Sequence, residues 1–325
     1  KSTAFTLFIK AMAREEATSD NVDFFVLHGA TDAPMVDVIA RGVATLVNDA
    51  PYGAITDYIS VPAASYTLDV TPGSDNNTIV ASYTADLSGL AGGAAAVFAS
   101  GFLTPDNDQN GEAFGIYAAL PTGDVVAFTP LTTARLQVIH NAADPAAASV
   151  DVYLNGGILL PDFAFREATE YIDAPANQVI NIGVAGGSSM SADDTLKNFS
   201  LNLLAGETYV AIANGVLDPE SFEMNPNEKS TAFTLFIKAM AREEATSDNV
   251  DFFVLHGATD APKVDVIARD VMTLVDNAAY GAITDYISVP AASYTLDVTP
   301  ASDNNTVLAS YTADLSGLAG GAAAV

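Results

Sequence analysis

The sequence predicts an all-β protein built of tandem modules, and three observations carry that expectation. Residues 1–97 recur as residues 229–325 with nine differences, among them Met35 to Lys263, Gly42 to Asp270, Ala44 to Met272, Pro51 to Ala279 and Gly73 to Ala301, which sets a repeat of 228 residues. Inside that repeat "VDFFVLHGATDAPMVDV" (22–38) is echoed by "ARLQVIHNAADPAAASVDV" (134–152), and "LAGGAAAVFASGFLTPD" (90–106) by "LAGETYVAIANGVLDPE" (204–220). The period therefore halves into two related modules of about 114 residues, an ordinary domain size. Lastly, short apolar runs rich in Val, Ile, Tyr, Phe and Thr are punctuated by Gly, Pro, Asn and Asp, the signature of strands in a sandwich or barrel.

In chain order, residues 1–19 repeat residues 229–247 and so read as the terminal strand of a preceding B-type module. Module A spans 20–133, module B 134–247, and a second, incomplete A 248–325. The strands expected in A are "VDFFVLH", "VDVIA", "TDYISV", "SYTLDV", "TIVASYTADL", "AAVFASGFL", "AFGIYAAL" and "DVVAFTP", with "TPGSDNNT" (71–78) as a hairpin loop. Only "KAMAREEATSD" (10–20) has helix-forming composition, and at a module junction it reads equally as a short helix or an extended linker.

Half of the residues are hydrophobic, enough to fill cores, although 40 acidic residues face only 12 basic ones for a net charge of −28. With no basic cluster, nucleic acid and anionic membranes are excluded as expected partners. No cysteine is present, so neither a disulfide framework nor a thiolate metal site can form. No apolar run reaches the roughly 18 residues of a membrane span. The chain lacks an initiator Met and a leader, and is expected to be mature or internal sequence.

The ordered segments "HGATDAPMVDV", "YGAITDYISVPAASYTLDVTP", "AVFASGFLTPD" and "NGEAFGIYAALPTGDVV" in A, with their weaker counterparts in B, resemble the domain of unknown function family 4397. The resemblance runs through both modules end to end. It implies immunoglobulin-like or transthyretin-like β-sandwich modules in tandem, in bacterial secreted proteins of the cell surface, and it brings no catalytic residues.

Each module holds one histidine, His28, His140 or His256, followed by an aspartate, Asp37, Asp151 or Asp265. Without a nucleophile in a strained Gly-flanked turn, or a second His for a metal, the expected role is a strand-end imidazole donating a hydrogen bond to a turn. In "PDNDQNGEAFG" (105–115), Asp106, Asp108, Asn110 and Glu112 with Gly111 copy the first half of a calcium loop, but Tyr117 stands where a bidentate Glu belongs. Calcium is accordingly the one candidate ligand, set against an acidic turn. The Gly-rich "SGLAGGAAAV" (88–97) lacks the Lys of a phosphate loop, and its small residues suggest close sheet packing. Asn76, Asn198 and Asn304 head glycosylation tripeptides, and "DTL" (194–196) makes Thr195 a candidate O-glycosylation site. Lys10 and Lys238 lie in apolar strands, where an edge-protecting or snorkelling lysine is favoured over an isopeptide donor.

Residues Thr3, Ala4, Phe5, Thr6, Leu7, Phe8, Ile9, Lys10 and Ala11 align with residues 112–120 of module A and are expected to form an inter-module strand. Such a strand is satisfied either within a longer covalent array, the favoured arrangement, or by donation to a neighbouring chain. The expected function is non-enzymatic: an extracellular bacterial filament, stalk or surface fibre whose partner is itself. An adhesin binding glycans or other cells through sandwich-end loops is the alternative, and a hydrolase the weaker rival.

Overall fold

The computed structural model describes residues 5–325, which form two compact units, one ending at Thr133 and one beginning at Ala134. The first unit is a sandwich of β1 (Val22–His28), β2 (Val36–Ala40), β3 (Ala44–Ala50), β4 (Ile59–Val61), β5 (Ser65–Pro72), β6 (Ala81–Asp86), β7 (Ala94–Ser100), β8 (Gly115–Ala119), β9 (Val125–Ala127) and β10 (Thr129–Leu131). One sheet has the order β4-β1-β7-β8-β9 and the other β10-β6-β5-β2-β3. Their inner rows meet in a core that includes Val22, Phe24, Val36, Val70, Tyr83 and Ile116.

β1 and β7 run parallel, with Asp23 opposite Ala94 and His28 opposite Ala99. A parallel pair requires a long crossover, and here β2, β3, β5 and β6 supply it by building most of the facing sheet, while β4 returns to pair with β1. In β2 and β3 the register shifts between Val36 and Ile39, and Asp49 takes a positive φ of 50°. The buried Asp37 carboxylate accepts a hydrogen bond from the Asp49 amide at 2.5 Å. Asp151 and Asp265 do the same for Asp162 (2.8 Å) and Asn277 (2.6 Å), both also at positive φ. The three aspartates thus hold bulges, where the ladder would otherwise leave an amide unpaired.

The second unit contains module B as β11 (Thr133–His140), β12 (Ser149–Leu154), β13 (Gly157–Ala164), β14 (Ile172–Pro175), β15 (Val179–Gly186), β16 (Lys197–Asn202), β17 (Thr208–Asn214) and β18 (Thr234–Ala239). Its sheets are β14-β11-β17-β18 and β13-β12-β15-β16, with β11 and β17 again parallel. The second A follows as β19 (Val250–Phe253), β20 (Val264–Ala268), β21 (Met272–Ala278), β22 (Ile287–Val289), β23 (Ser293–Pro300), β24 (Ala309–Asp314) and β25 (Ala322–Ala324). It forms sheets β22-β19-β25 and β21-β20-β23-β24. The chain is therefore all-β, with sandwich modules in tandem.

Of the two readings of residues 10–20, the linker holds: they run as turns and bends, joined to module A by the Glu16–Gly93 bridge, by the Ala17 amide on the Gly92 carbonyl and by side-chain bonds from Lys10 and Arg14. One expectation is corrected. Of the nine residues expected as an inter-module strand, Thr3 and Ala4 lie outside the described residues, and Phe5 to Ala11 form no strand. The identical segment in the second copy does, as β18. The reason is the partner: β18 lies along β17, from Tyr209 opposite Ala239 to Asn214 opposite Thr234, and strand hydrogen bonds exist only against such an edge.

Candidate functional site

The most organised feature outside the cores is the junction of module B with the second A, built on β18 and the connector after it. Alternation sends the side chains of β18 to two places. Phe233, just before the strand, and Leu235 turn into module B, where Phe233 meets the Phe199 ring and Leu235 lies among Leu136, Val138 and Ala211. Phe236 and Lys238 face the second A. Phe236 packs edge-on against Tyr280 with ring centroids 6.0 Å apart. The Lys238 ammonium donates to the Thr284 carbonyl at 3.0 Å and lies over the rings of Phe253 and Tyr286. Gly281, at φ +82°, makes room for Phe236, whose Cε1 would stand 2.9 Å from an added Cβ.

Between the modules, Val210 and Ile212 on the outer row of β17 join Ala241 and Phe253 in one buried cluster, flanked by Ile139, Tyr171 and Leu255. At one end of this interface an amide network replaces apolar packing. Asn141 donates to Asn214 at 3.0 Å, and Asn214 donates to the Gly257 carbonyl (3.0 Å) and the Tyr280 hydroxyl (3.1 Å). At the other end the connector is clamped from both sides. Arg135 of module B forms a two-bonded pair with Glu243 (2.9 and 3.0 Å) and reaches Asp173 (3.1 Å). Arg242 pairs with the buried Asp251 of the second A at 2.5 Å. The hydrogen bonds from Arg135 hold the Glu243 carboxyl below its ordinary range. For Asp251, burial pushes the pKa up but is outweighed by hydrogen bonds from Ser288, Thr246 and Arg242, so the net shift is downward.

The first copy repeats only the half that faces its own module. Phe8 stacks edge-on against Tyr52, Lys10 donates to Thr56 at 2.9 Å, and Arg14 pairs with Asp23 at 2.5 Å. The other row is bare: Phe5 is 103% exposed where Phe233 is 4% exposed, and Leu7 and Ile9 stand out at 77% and 75%. The shared carbonyl bond and ring contacts also account for both lysines, in keeping with a snorkelling role and not a cross-link.

The remaining sequence candidates fall elsewhere. His28, His140 and His256 each place Nε2 at a turn carbonyl, Pro34 (2.9 Å), Ala147 (2.7 Å) and Pro262 (2.9 Å), as expected of strand-end imidazoles. Their partner aspartates serve the bulges instead. Asp106, Asp108, Asn110 and Glu112 line an exposed loop after a turn of 3-10 helix (Pro105–Asn107). Asn110 has a positive φ of 54°, and an added Cβ at Gly111 would meet the Phe102 ring at 2.5 Å. Turn geometry and packing thus explain the Asn-Gly pair, and among the described residues no group of three His, Cys, Asp or Glu is placed to hold a metal ion. Thr195 is half-buried after the 3-10 turn Ala192–Asp194, where its hydroxyl accepts from Asn198 at 3.2 Å.

Sequence reasoning missed two things. One is the amide network; its signal lay in Asn214 and Asn141 of B standing where A has Ser100 and Gly29. The other is a cavity of about 540 Å³ between the sheets of module A, against about 20 Å³ in module B. The inner rows explain the difference. Where B has Tyr209 on β17 and Ile237 on β18, the same register positions on β7 and β8 hold Ala95 and Ala118. Ala95 within β7 and Ala118 within β8 therefore leave space between the sheets. The cavity wall is almost wholly apolar, includes the buried His28, and reaches the surface at Ser88 and Gly89 after β6 and at Val126 and Ala127 in β9.

Comparison with known proteins gives a family. The pattern described as "Domain of unknown function (DUF4397)" matches residues 23–144, 134–234 and 251–319. No curated protein matches the chain. Among solved structures, the Bacillus anthracis TIE protein aligns over 94% of this chain and 49% of its own at 8% identity and a TM-score of 0.21, so the chain spans about half of that protein's length, at a likeness too low to carry an argument. With three tandem matches spread over most of its length, the chain belongs to the family described as domain of unknown function DUF4397.

Proposed function

We propose that this protein is a non-enzymatic structural repeat of an extracellular bacterial filament, stalk or surface fibre, in which every A-type module docks face-on against a B-type module. One observation carries the reading. The same segment is buried on both sides at residues 233–238 and on one side only at residues 5–10, where Phe5, Leu7 and Ile9 present the row that fills a B-type core in the second copy. Large apolar side chains left in water each forfeit about 1.5–3 kcal/mol, so that row favours a B-type module, supplied by the same array or by a neighbour. Head-to-tail contacts of this kind do not close, and they generate a fibre. The acidic surface suits a fibre that must stay unbundled in solution.

The test has two parts. Negative-stain microscopy of native material should show beaded fibres, and monodisperse particles would refute the proposal. In addition, a module B fragment lacking β18 (134–228) should bind the chain saturably through residues 5–11. Replacing Phe5, Leu7 and Ile9 together by Ser should abolish that binding; equal binding of the triple variant would sink the docking mode.

A further inference from the structure

We infer that the cavity of module A is a binding site for one elongated, apolar, lipid-like molecule carrying a single hydroxyl or N–H group. The volume, about 540 Å³, lies in the range of sites that enclose small molecules. The wall is built by sequence, since Ala95 and Ala118 stand at the register positions that the larger Tyr209 and Ile237 hold in module B. A second, independent feature marks where a polar group would sit. His28 lines the cavity at 2% exposure; its Nε2 faces the Pro34 carbonyl at 2.9 Å, while its Nδ1 is buried without a hydrogen-bond partner. A carbonyl only accepts, so Nε2 carries the hydrogen, and in the neutral ring Nδ1 is left as an acceptor. In module B the same atom is satisfied, because His140 Nδ1 accepts from the Ala142 amide at 3.3 Å. The unfilled volume and the orphaned acceptor therefore occur together, in A and not in B. An apolar body with one donor would complete both, and the opening between the turn after β6 and β9 gives it a way in. The one carboxylate of the wall, Asp86, is exposed at the mouth and no Lys or Arg lines the cavity, so an anionic headgroup has no counterion and the interior suits a neutral molecule such as a long-chain alcohol.

The experiment titrates the full chain with N-phenyl-1-naphthylamine, an apolar fluorophore with one N–H. Saturable binding of one probe per chain is expected, displaced by 1-decanol more strongly than by decane. Ala95→Tyr combined with Ala118→Ile, which restores the residues of module B, should weaken binding by about tenfold or more while raising the unfolding temperature. Should the double variant lose its β-sheet circular dichroism, Ala118→Ile alone serves in its place. In His28→Phe the advantage of decanol over decane should fall by about fivefold, the worth of one net hydrogen bond. Probe binding that is undiminished in the filled variant would place the probe on the exposed apolar row at residues 5–9 and overturn the site, as would absence of saturable binding. An unchanged decanol preference in His28→Phe would overturn the role of the imidazole.

Discussion

Phe253 and Phe25 occupy the same place in two nearly identical modules, and replacing each by Ala isolates what module B contributes. Their own-side surroundings match: Phe25 meets the Tyr58 ring at 5.7 Å and the Lys10 ammonium at 5.8 Å, and Phe253 meets Tyr286 and Lys238 at 5.7 Å each. What differs is the cover from module B, whose Val210 and Ile212 leave Phe253 only 1% exposed, whereas Phe25 is half-buried. A fully buried Phe→Ala change costs about 3–5 kcal/mol. A partly exposed one loses less area, about half of that on the same scale. The difference, about 2 kcal/mol, is roughly 30-fold in an opening equilibrium. Native-state hydrogen exchange read by mass spectrometry suits the comparison, because β17 and β8 lie in peptides unique to their modules. Phe253→Ala should speed exchange in β17 about 30-fold more than Phe25→Ala speeds it in β8. Equal effects would mean that the interface adds no stability, and the reasoning behind the docked array would fail with it.

Other predictions follow from the same geometry. Asp37→Ala leaves the Asp49 amide without its acceptor and should destabilise the first unit by about 1–3 kcal/mol in urea unfolding; a change within error would remove the bulge-holding role. Hydrogen bonds from Arg269 and Ser310 lower the Asp297 carboxyl to about 2. This aspartate stays charged in the folded chain while its unfolded counterpart takes up a proton, so its contribution is complete above about pH 4–5 and is lost as pH falls towards 2. The stability gap between wild type and Asp297→Asn should therefore close over that interval, and a constant gap would contradict it. Arg135→Met removes both connector bonds of the clamp, and since the pair is solvent-exposed the loss of global stability should be small. The effect should appear as faster amide exchange in residues 241–249; unchanged exchange there would show that the clamp does not order the connector.

Much of the fold was legible because alternation and turn chemistry agree. Seven of the eight runs read as strands in module A each overlap one observed strand, and "DVVAFTP" overlaps two short ones, β9 and β10. β3 escaped notice because only Leu46, Val47 and Ala50 of its residues turn away from solvent, too weak an alternation for an edge strand. The parallel pairing of β1 with β7 was also hidden, since single-strand patterns carry no partner information. Of the inter-module segment, the sequence showed that residues 3–11 have strand character but not that the character needs an edge to be expressed; the copy at 234–239 has β17 and the first copy has none. The calcium-like loop misled because Asn and Gly suit both ligand loops and left-handed turns, and here Asn110 and Gly111 answer to φ and to Phe102. The cavity was readable in principle: Ala95 and Ala118 against Tyr209 and Ile237 is a comparison between equivalent rows of the two modules, available once they are aligned.

The Arg135–Glu243 pair has a mechanical meaning. β11 begins, and β18 ends, at the same end of their sheet, because β18 runs antiparallel to β17 and β17 parallel to β11. Tension along the polypeptide would then peel β18 from β17 one hydrogen bond at a time, beginning at Ala239, the weakest way to load a sheet. Arg135 lies two residues into β11, and Glu243 lies four residues beyond the last residue of β18. Their bond, with the Ala241 amide held by the Thr208 carbonyl at 2.8 Å, bridges the incoming and outgoing polypeptide directly. Force applied through the outgoing connector would therefore meet the guanidinium and carboxylate before it reaches β18, and would load that strand only once the clasp opens.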